Sequence, residues 1–301
     1  MAGDTAYFVF ISGFLFYAVF YRRGFDYRTF MVGKLKKVFC PYAIIVTIFI
    51  AYRLLRGHGS FSDPGFMWWG GLIYWSFWYI PFVMLLFAVS PLFLAFIESR
   101  PRVQWPVFFA TLLFSMVLGR HNGNPLLGVL FWTSTYLAGI LLALNYEAFK
   151  NMKPLHRQCL FATTFLFIGY CVCAGKHFFS PLGNFEIDFK KCFDLITVGK
   201  ILLSLCFIAA FLKMPKEKWK SLQWILKVLA KYSFSIFFLH QFVILRFERH
   251  NNYKAFFDSF NYWQVEGMAL LIAVLTCILC IAVAAPIKRI AGKYSRMVIG
   301  A

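Results

Sequence analysis

Nine apolar segments follow one another along the chain, at about residues 6–21, 38–55, 74–97, 103–118, 126–145, 158–174, 195–212, 232–247 and 265–286. An α-helix needs about 20 mostly apolar residues to cross the ~30 Å hydrocarbon core of a bilayer. Lipid offers no partner to backbone N–H and C=O groups, so a series of such segments folds as helices bonded within themselves. The expected fold class is therefore all-α, a polytopic integral membrane helix bundle of about nine transmembrane helices. Composition agrees. Only 14% of the residues are charged, against about 25% in an ordinary soluble domain. The shorter segments need tilt or aromatic anchoring. Trp68, Trp69, Trp75, Trp78, Trp105, Trp219 and Trp263 lie near segment ends, where an interfacial belt belongs.

The connecting stretches alternate in charge. One set holds Arg22, Arg23, Arg28, Lys34, Lys36 and Lys37, then Arg100 and Arg102, then Lys150, Lys153 and Arg157. It continues with Lys213, Lys216, Lys218, Lys220, Lys227 and Lys231, and ends with Lys288, Arg289, Lys293 and Arg296. These 21 cations face four acids, whereas the intervening stretches hold nine cations and eight acids. Lys and Arg are retained on the cytoplasmic side. The expected orientation thus has the N-terminus outside and the C-terminus cytoplasmic; a bacterial inner (plasma) membrane is the expected setting. A net charge of +19 would suit a nucleic-acid binder if it covered one face. Banked in loops on one side it sets topology instead, so membrane lipid is an expected partner and nucleic acid is not.

No basic stretch precedes the first apolar run at Ala6, so no secretory signal is expected. No repeat or linker divides the chain, which reads as a single domain over residues 1–301. The stretch 175–194 reads as a solvated connection with mixed charge, although it could touch a polar acceptor. The eight cysteines are scattered. Cys171-x-Cys173 and Cys277-x-x-Cys280 lack the two further ligands a zinc site needs, so neither a metal nor a bound cofactor is expected.

Two ionisable residues fall inside apolar segments. His240 lies nine residues past Lys231, about 14 Å along a helix that rises ~1.5 Å per residue. That is near the bilayer centre, where ionisable groups are rare and usually functional. It is either a general base, since imidazole titrates near neutral pH, or a structural histidine bonded to a neighbouring helix. Lys200 lies near the outer end of its segment, and either reaches outward to water or contacts substrate in a polar cavity. Thr133-Ser134-Thr135-Tyr136 would line such a cavity or simply pack helices. Ser12-Gly13 reads as a close helix contact.

Four stretches carry a resemblance. They are Phe8-Val-Phe-Ile-Ser-Gly-Phe-Leu15, Lys34-Leu-Lys-Lys-Val-Phe-Cys-Pro-Tyr42, Phe77-Trp-Tyr-Ile-Pro-Phe82 and Tyr232-Ser-Phe-Ser-Ile-Phe-Phe-Leu-His240. In this order they resemble the second, third, fourth and a late helix of the membrane-bound acyltransferase family 3. The resemblance implies a ten-helix core that moves an acyl group, commonly acetyl, from cytoplasmic acetyl-CoA or another acyl-CoA. The implied acceptor is a hydroxyl of a cell-surface polysaccharide or its lipid-linked precursor. The family's first helix, which carries a basic residue and a histidine eleven positions later, has no counterpart here before His58. The sequence therefore reads as the family core of ten helices minus the first.

The resemblance also suggests roles. The donor's phosphates need cations, and Arg22, Arg23, Lys34 and Lys37 lie on the expected cytoplasmic side; setting topology alone is the other reading. Trp78 and Tyr79 would stack on a sugar or belong to the interfacial belt, and Lys200 would touch the same substrate. With the usual histidine absent, His240 is the candidate catalytic residue, with support of the bundle as its other role. A carbohydrate O-acyltransferase is the expected function. A polysaccharide exporter or an inactive fragment of the acyltransferase are the alternatives.

Overall fold

The computed structural model describes residues 5–55, 77–118, 124–173, 195–214, 219–250, 261–292 and 295. Among them the regular structure is helical and no strand occurs. In chain order the helices are α1 (Thr5–Leu15), α2 (Tyr27–Lys34), α3 (Cys40–Leu55), α4 (Tyr79–Ala88), α5 (Ser90–Glu98) and α6 (Pro101–Leu118). They continue with α7 (Pro125–Leu144), α8 (Tyr146–Lys150), α9 (Pro154–Cys173), α10 (Ile196–Lys213), α11 (Lys220–His250) and α12 (Tyr262–Ala291). The described part of each of the nine apolar segments lies mainly on one of these helices or on a run of them, with Phe16–Phe20 and Leu35–Phe39 in short π turns that adjoin α1 and α3. Among the described residues six helical stretches are long and apolar enough to cross a membrane on their own, and α4 with α5 makes a seventh as one bent span. α3, at 16 residues, is shorter. The chain is an all-α, multi-pass membrane bundle. Trp68, Trp69, Trp75 and the whole of the stretch 175–194 lie outside the described residues.

Two segments differ from their expected form. The run 74–97 is broken at Val89, where α4 and α5 meet at 51°. Pro91 explains the break, because it lacks an N–H and its ring crowds the preceding turn. Leu92 N–H reaches back only to Val89 O (3.0 Å). The Ala88 carbonyl instead accepts from the Tyr27 hydroxyl at 3.1 Å, as a break inside a membrane span requires. The run 232–247 lies within α11, a helix of 31 residues. At ~1.5 Å per residue this is roughly 46 Å, well beyond a ~30 Å hydrocarbon core. Hydropathy marks only the apolar part. The Lys220–Lys231 end is amphipathic, with no breaker to stop it, and Trp219 and Trp224 are exposed beside its lysines.

The chain divides into two compact units, one of Met1–Met31 with Pro81–Pro215 and one of Val32–Ile80 with Lys216–Ala301. The first is organised around α7, whose apolar window is 72% buried. Asn124 starts that helix by accepting from Leu126 N–H (3.0 Å) and Leu127 N–H (3.4 Å), with Pro125 in its first turn. α1 crosses α7 backbone to backbone at two glycines. A Cβ on Gly13 would run into the Tyr136 carbonyl, and one on Gly139 into the Phe10 carbonyl and the Phe14 nitrogen. Small residues permit this approach, since two helices in lipid gain most from close packing. The close contact expected at Ser12-Gly13 is made by Gly13. Ser115 on α6 and Ser134 on α7 share a buried hydrogen bond of 2.8 Å, of a kind that contributes about 0.6 kcal/mol in membrane helices. Beyond the crossing, Phe16 packs edge-on against Phe25 (5.3 Å) and Phe30 (5.7 Å), and Phe93 lies 4.6 Å from Tyr136.

In the second unit α11 packs on α12. α12 starts with a capping box between Asn261 and Gln264. Its buried seam is Thr276, Cys280 and Ala284, spaced four apart, while Leu270, Leu271, Val274 and Ile278 are exposed. Ala284 packs against Tyr232, Leu239 and Ile287. A narrow seam of small residues with large apolar ones outside is what a lipid-facing helix should look like.

Candidate functional site

The second unit carries His240, Trp78, Tyr79, Lys34 and Lys37, and the first carries Lys200, Arg22 and Arg23. The residues expected to work together are thus divided between the units. Within the second unit the structure draws several of them around one aromatic cluster.

His240 sits on α11, half-buried. Its Nδ1 lies 3.0 Å from Ile236 O and 2.7 Å from Phe237 O. Two carbonyls can only accept, so Nδ1 carries the proton and Nε2 keeps its lone pair. The helix thereby places the basic lone pair on Nε2. The Gln241 side-chain amide donates to that lone pair at 3.2 Å, so a substrate hydroxyl must take the place of this amide to reach Nε2. The partners on Nδ1 come from α11 itself, where sequence reasoning considered a neighbouring helix.

The ring of Phe237, one turn before His240, lies 6.0 Å from the imidazole and 5.7 Å from Tyr79. Trp78 stands edge-on to Tyr79 at 6.4 Å. Behind them Phe77 packs on Phe238 (6.1 Å) and Tyr42 (6.0 Å), all three fully buried. The stretch 77–79 and the His240 helix, far apart in sequence, therefore meet through Phe237 and Phe238. Sequence reasoning missed these two phenylalanines. One apolar residue among many in a span carries no signal of its contacts.

The basic residues occupy turns at helix ends. Arg22 and Arg23 form a 3-10 turn after α1 and are exposed. Asp26 opens α2 by accepting from Thr29 N–H at 2.7 Å, and the hydrogen bonds from Thr29 hold its carboxyl below the ordinary range. Lys34 ends α2, and Lys36 and Lys37 lie in the π turn Leu35–Phe39 that follows. Lys37 is exposed and Lys34 half-buried. Burial first, and the Lys37 charge second, push the Lys34 ammonium down to about 8. Pro41 sits in the first turn of α3, just beyond this π turn.

Lys200 is 5% exposed, inside the first unit near the start of α10. A lysine reaching for water at the bundle surface would be open, so its side chain packs inward. Thr133 bonds its own helix at Val129 O (2.6 Å), and Ser134 bonds Ser115. These two polar residues of α7 serve helix structure and packing. Cys206 donates to Thr164 Oγ1 at 3.2 Å between α10 and α9. Among the described residues no group of three His, Cys, Asp or Glu could hold a metal ion.

A family model described as an acyltransferase domain matches residues 5–289. No curated protein and no solved structure matches the chain. The match runs through all four stretches that carry the resemblance and through every residue of the aromatic cluster. The chain belongs to the membrane acyltransferase family 3.

Proposed function

We propose that the protein transfers an acyl group, commonly acetyl, from cytoplasmic acyl-CoA to a hydroxyl of a cell-surface polysaccharide or its lipid-linked precursor. The observation that carries this reading is the geometry of His240. Its proton is held on Nδ1, and its Nε2 keeps a lone pair, bonded by the Gln241 amide, beside a ring cluster of Phe237 and Tyr79. In the step proposed, the acceptor hydroxyl displaces that amide. Nε2 takes the hydroxyl proton as its oxygen bonds to the thioester carbonyl carbon. The C–S bond then breaks, and the proton passes to the departing CoA thiolate. Within the second unit Trp78 and Tyr79 offer the sugar aromatic faces; Lys200, in the first unit, is proposed separately as a substrate contact. Lys34 and Lys37 in the second unit, and separately Arg22 and Arg23 in the first, are proposed as charge-assisted partners for donor phosphates. The asymmetry of Lys and Arg supports a bacterial inner-membrane protein with this basic side cytoplasmic. Deletion of the gene should remove acyl esters from the surface glycan, and the intact gene should restore them. Unchanged glycan acylation after deletion would oppose the reading.

Lys34 gives the donor contact a pH dependence. Its ammonium loses a proton through about 8, so attraction for a phosphate is full near pH 7 and falls by pH 9. The KM for acyl-CoA should rise over this interval by a few-fold. Lys34→Arg should flatten the rise, because guanidinium stays charged. Stability runs the other way. An unfolded lysine holds its proton to roughly pH 10.4, so the unfolded state binds more protons above pH 8 and the folded state gains there. A KM that is level across pH 7–9 in the unsubstituted protein would exclude Lys34 from the donor site.

One observation favours the exporter as a second reading. The break at Val89 leaves a discontinuous span, and Ser90 beside it is fully buried with no hydrogen-bond partner for its hydroxyl among the described residues. Transporters build midplane sites from such broken helices. Glycan flux into vesicles without acyl-CoA separates this reading from acyl transfer.

A further inference from the structure

We infer that the first unit holds a phospholipid phosphate in a cleft formed by Lys150, Arg157 and Lys213. The three cations line one shallow depression together with Met152, Ala209 and Leu212. They come from three helices: Lys150 ends α8, Lys213 ends α10, and Arg157 lies in the first turn of α9. Lys150 and Lys213 suit the negative ends of their helices. Arg157 does not. A helix N-terminus is itself partly positive and disfavours a cation, so this position calls for an anion to offset it. The acid close by is Glu147, 3.8 Å from Lys150, and both partners of that pair are largely exposed. One exposed acid leaves the cleft cationic. Its apolar floor selects the kind of anion. Met152, Ala209 and Leu212 would receive the first carbons of an acyl chain, which inorganic phosphate lacks. α10 is one of the membrane-crossing helices, so Lys213 at its end stands where headgroup phosphates lie. None of the three cations belongs to the proposed donor contact, and the cleft is independent of acyl transfer.

The test reads lipid retained by the full-length protein in nanodiscs that contain phosphatidylglycerol and phosphatidylcholine, followed by native mass spectrometry. The unsubstituted chain should retain phosphatidylglycerol over phosphatidylcholine. Lys150→Gln, Arg157→Gln and Lys213→Gln together should lower that retention roughly tenfold or more, since each cation near the surface adds to the attraction for anionic lipid. A control with Lys220→Gln, Lys227→Gln and Lys231→Gln removes the same charge from α11 and should change it less than about twofold. If the first triple variant does not fold, Arg157→Gln alone is read in its place and should still lower retention. Equal retention by the cleft variant, or equal loss in both triples, would overturn the inference. So would displacement of the lipid by inorganic phosphate at matched concentration, which would make the occupant a soluble anion.

Discussion

His240→Gln is expected to lower acyl transfer by about 10²–10⁴-fold, the usual contribution of a positioned general base. Glutamine keeps a polar side chain of similar reach but cannot take a proton near neutral pH. The imidazole's Nδ1–H is held by Ile236 O and Phe237 O, both within its own helix. These two bonds lie within one helix, so their loss should leave the fold in place, and the bundle should remain monodisperse on size exclusion. The distinction matters because support of the bundle is the other role for this histidine. A support role predicts lost protein with normal turnover in what remains. A base predicts normal protein with lost turnover. Turnover of His240→Gln within about threefold of the unsubstituted enzyme would remove His240 from the chemistry.

Gly139→Leu should strongly destabilise the first unit, and Gly13→Leu should do the same. At both positions the obstacle is backbone on the facing helix, so no rotamer change relieves it. Overpacking a helix contact ordinarily costs about 1–3 kcal/mol. Backbone that cannot yield puts these two variants at the upper end of that range or beyond it. Net stabilities of folded proteins are about 5–15 kcal/mol, so yield and melting temperature should both fall. Gly169 supplies the contrast. It lies in α9, and a Cβ added there would meet nothing within 4 Å. Gly169→Ala should be neutral or stabilise by roughly 0.5–1 kcal/mol through helix propensity. Thermal denaturation in one detergent compares the three variants. Equal melting temperatures for Gly139→Leu and Gly169→Ala would mean that α1 and α7 do not cross as described.

The spans were legible in the sequence because lipid forces apolar segments to be long and helical. The break at Val89 was only partly legible. Pro91 permits a bend, but the Tyr27 hydroxyl that donates to the freed carbonyl comes from 61 residues away. The 31-residue length of α11 was hidden because hydropathy reads composition, whereas Lys220–Lys231 is helical through its amphipathic spacing. At the site, His240 stood out as an ionisable group where lipid tolerates few. Phe237 did not, although it joins Tyr79 to His240. A chain with 39 phenylalanines gives no local sign of which ring meets which. Lys200 was visible as an intramembrane cation, but its inward packing depends on which face α10 turns to its neighbours.

The most direct test is transfer of labelled acetyl from acetyl-CoA to a surface polysaccharide, or its lipid-linked precursor, by the purified chain in proteoliposomes. The account predicts an alkali-labile acetyl ester on the glycan, formed by the unsubstituted protein and lost with His240→Gln. Folded protein that leaves the glycan unlabelled, or that carries glycan across the bilayer without acyl-CoA, would contradict it.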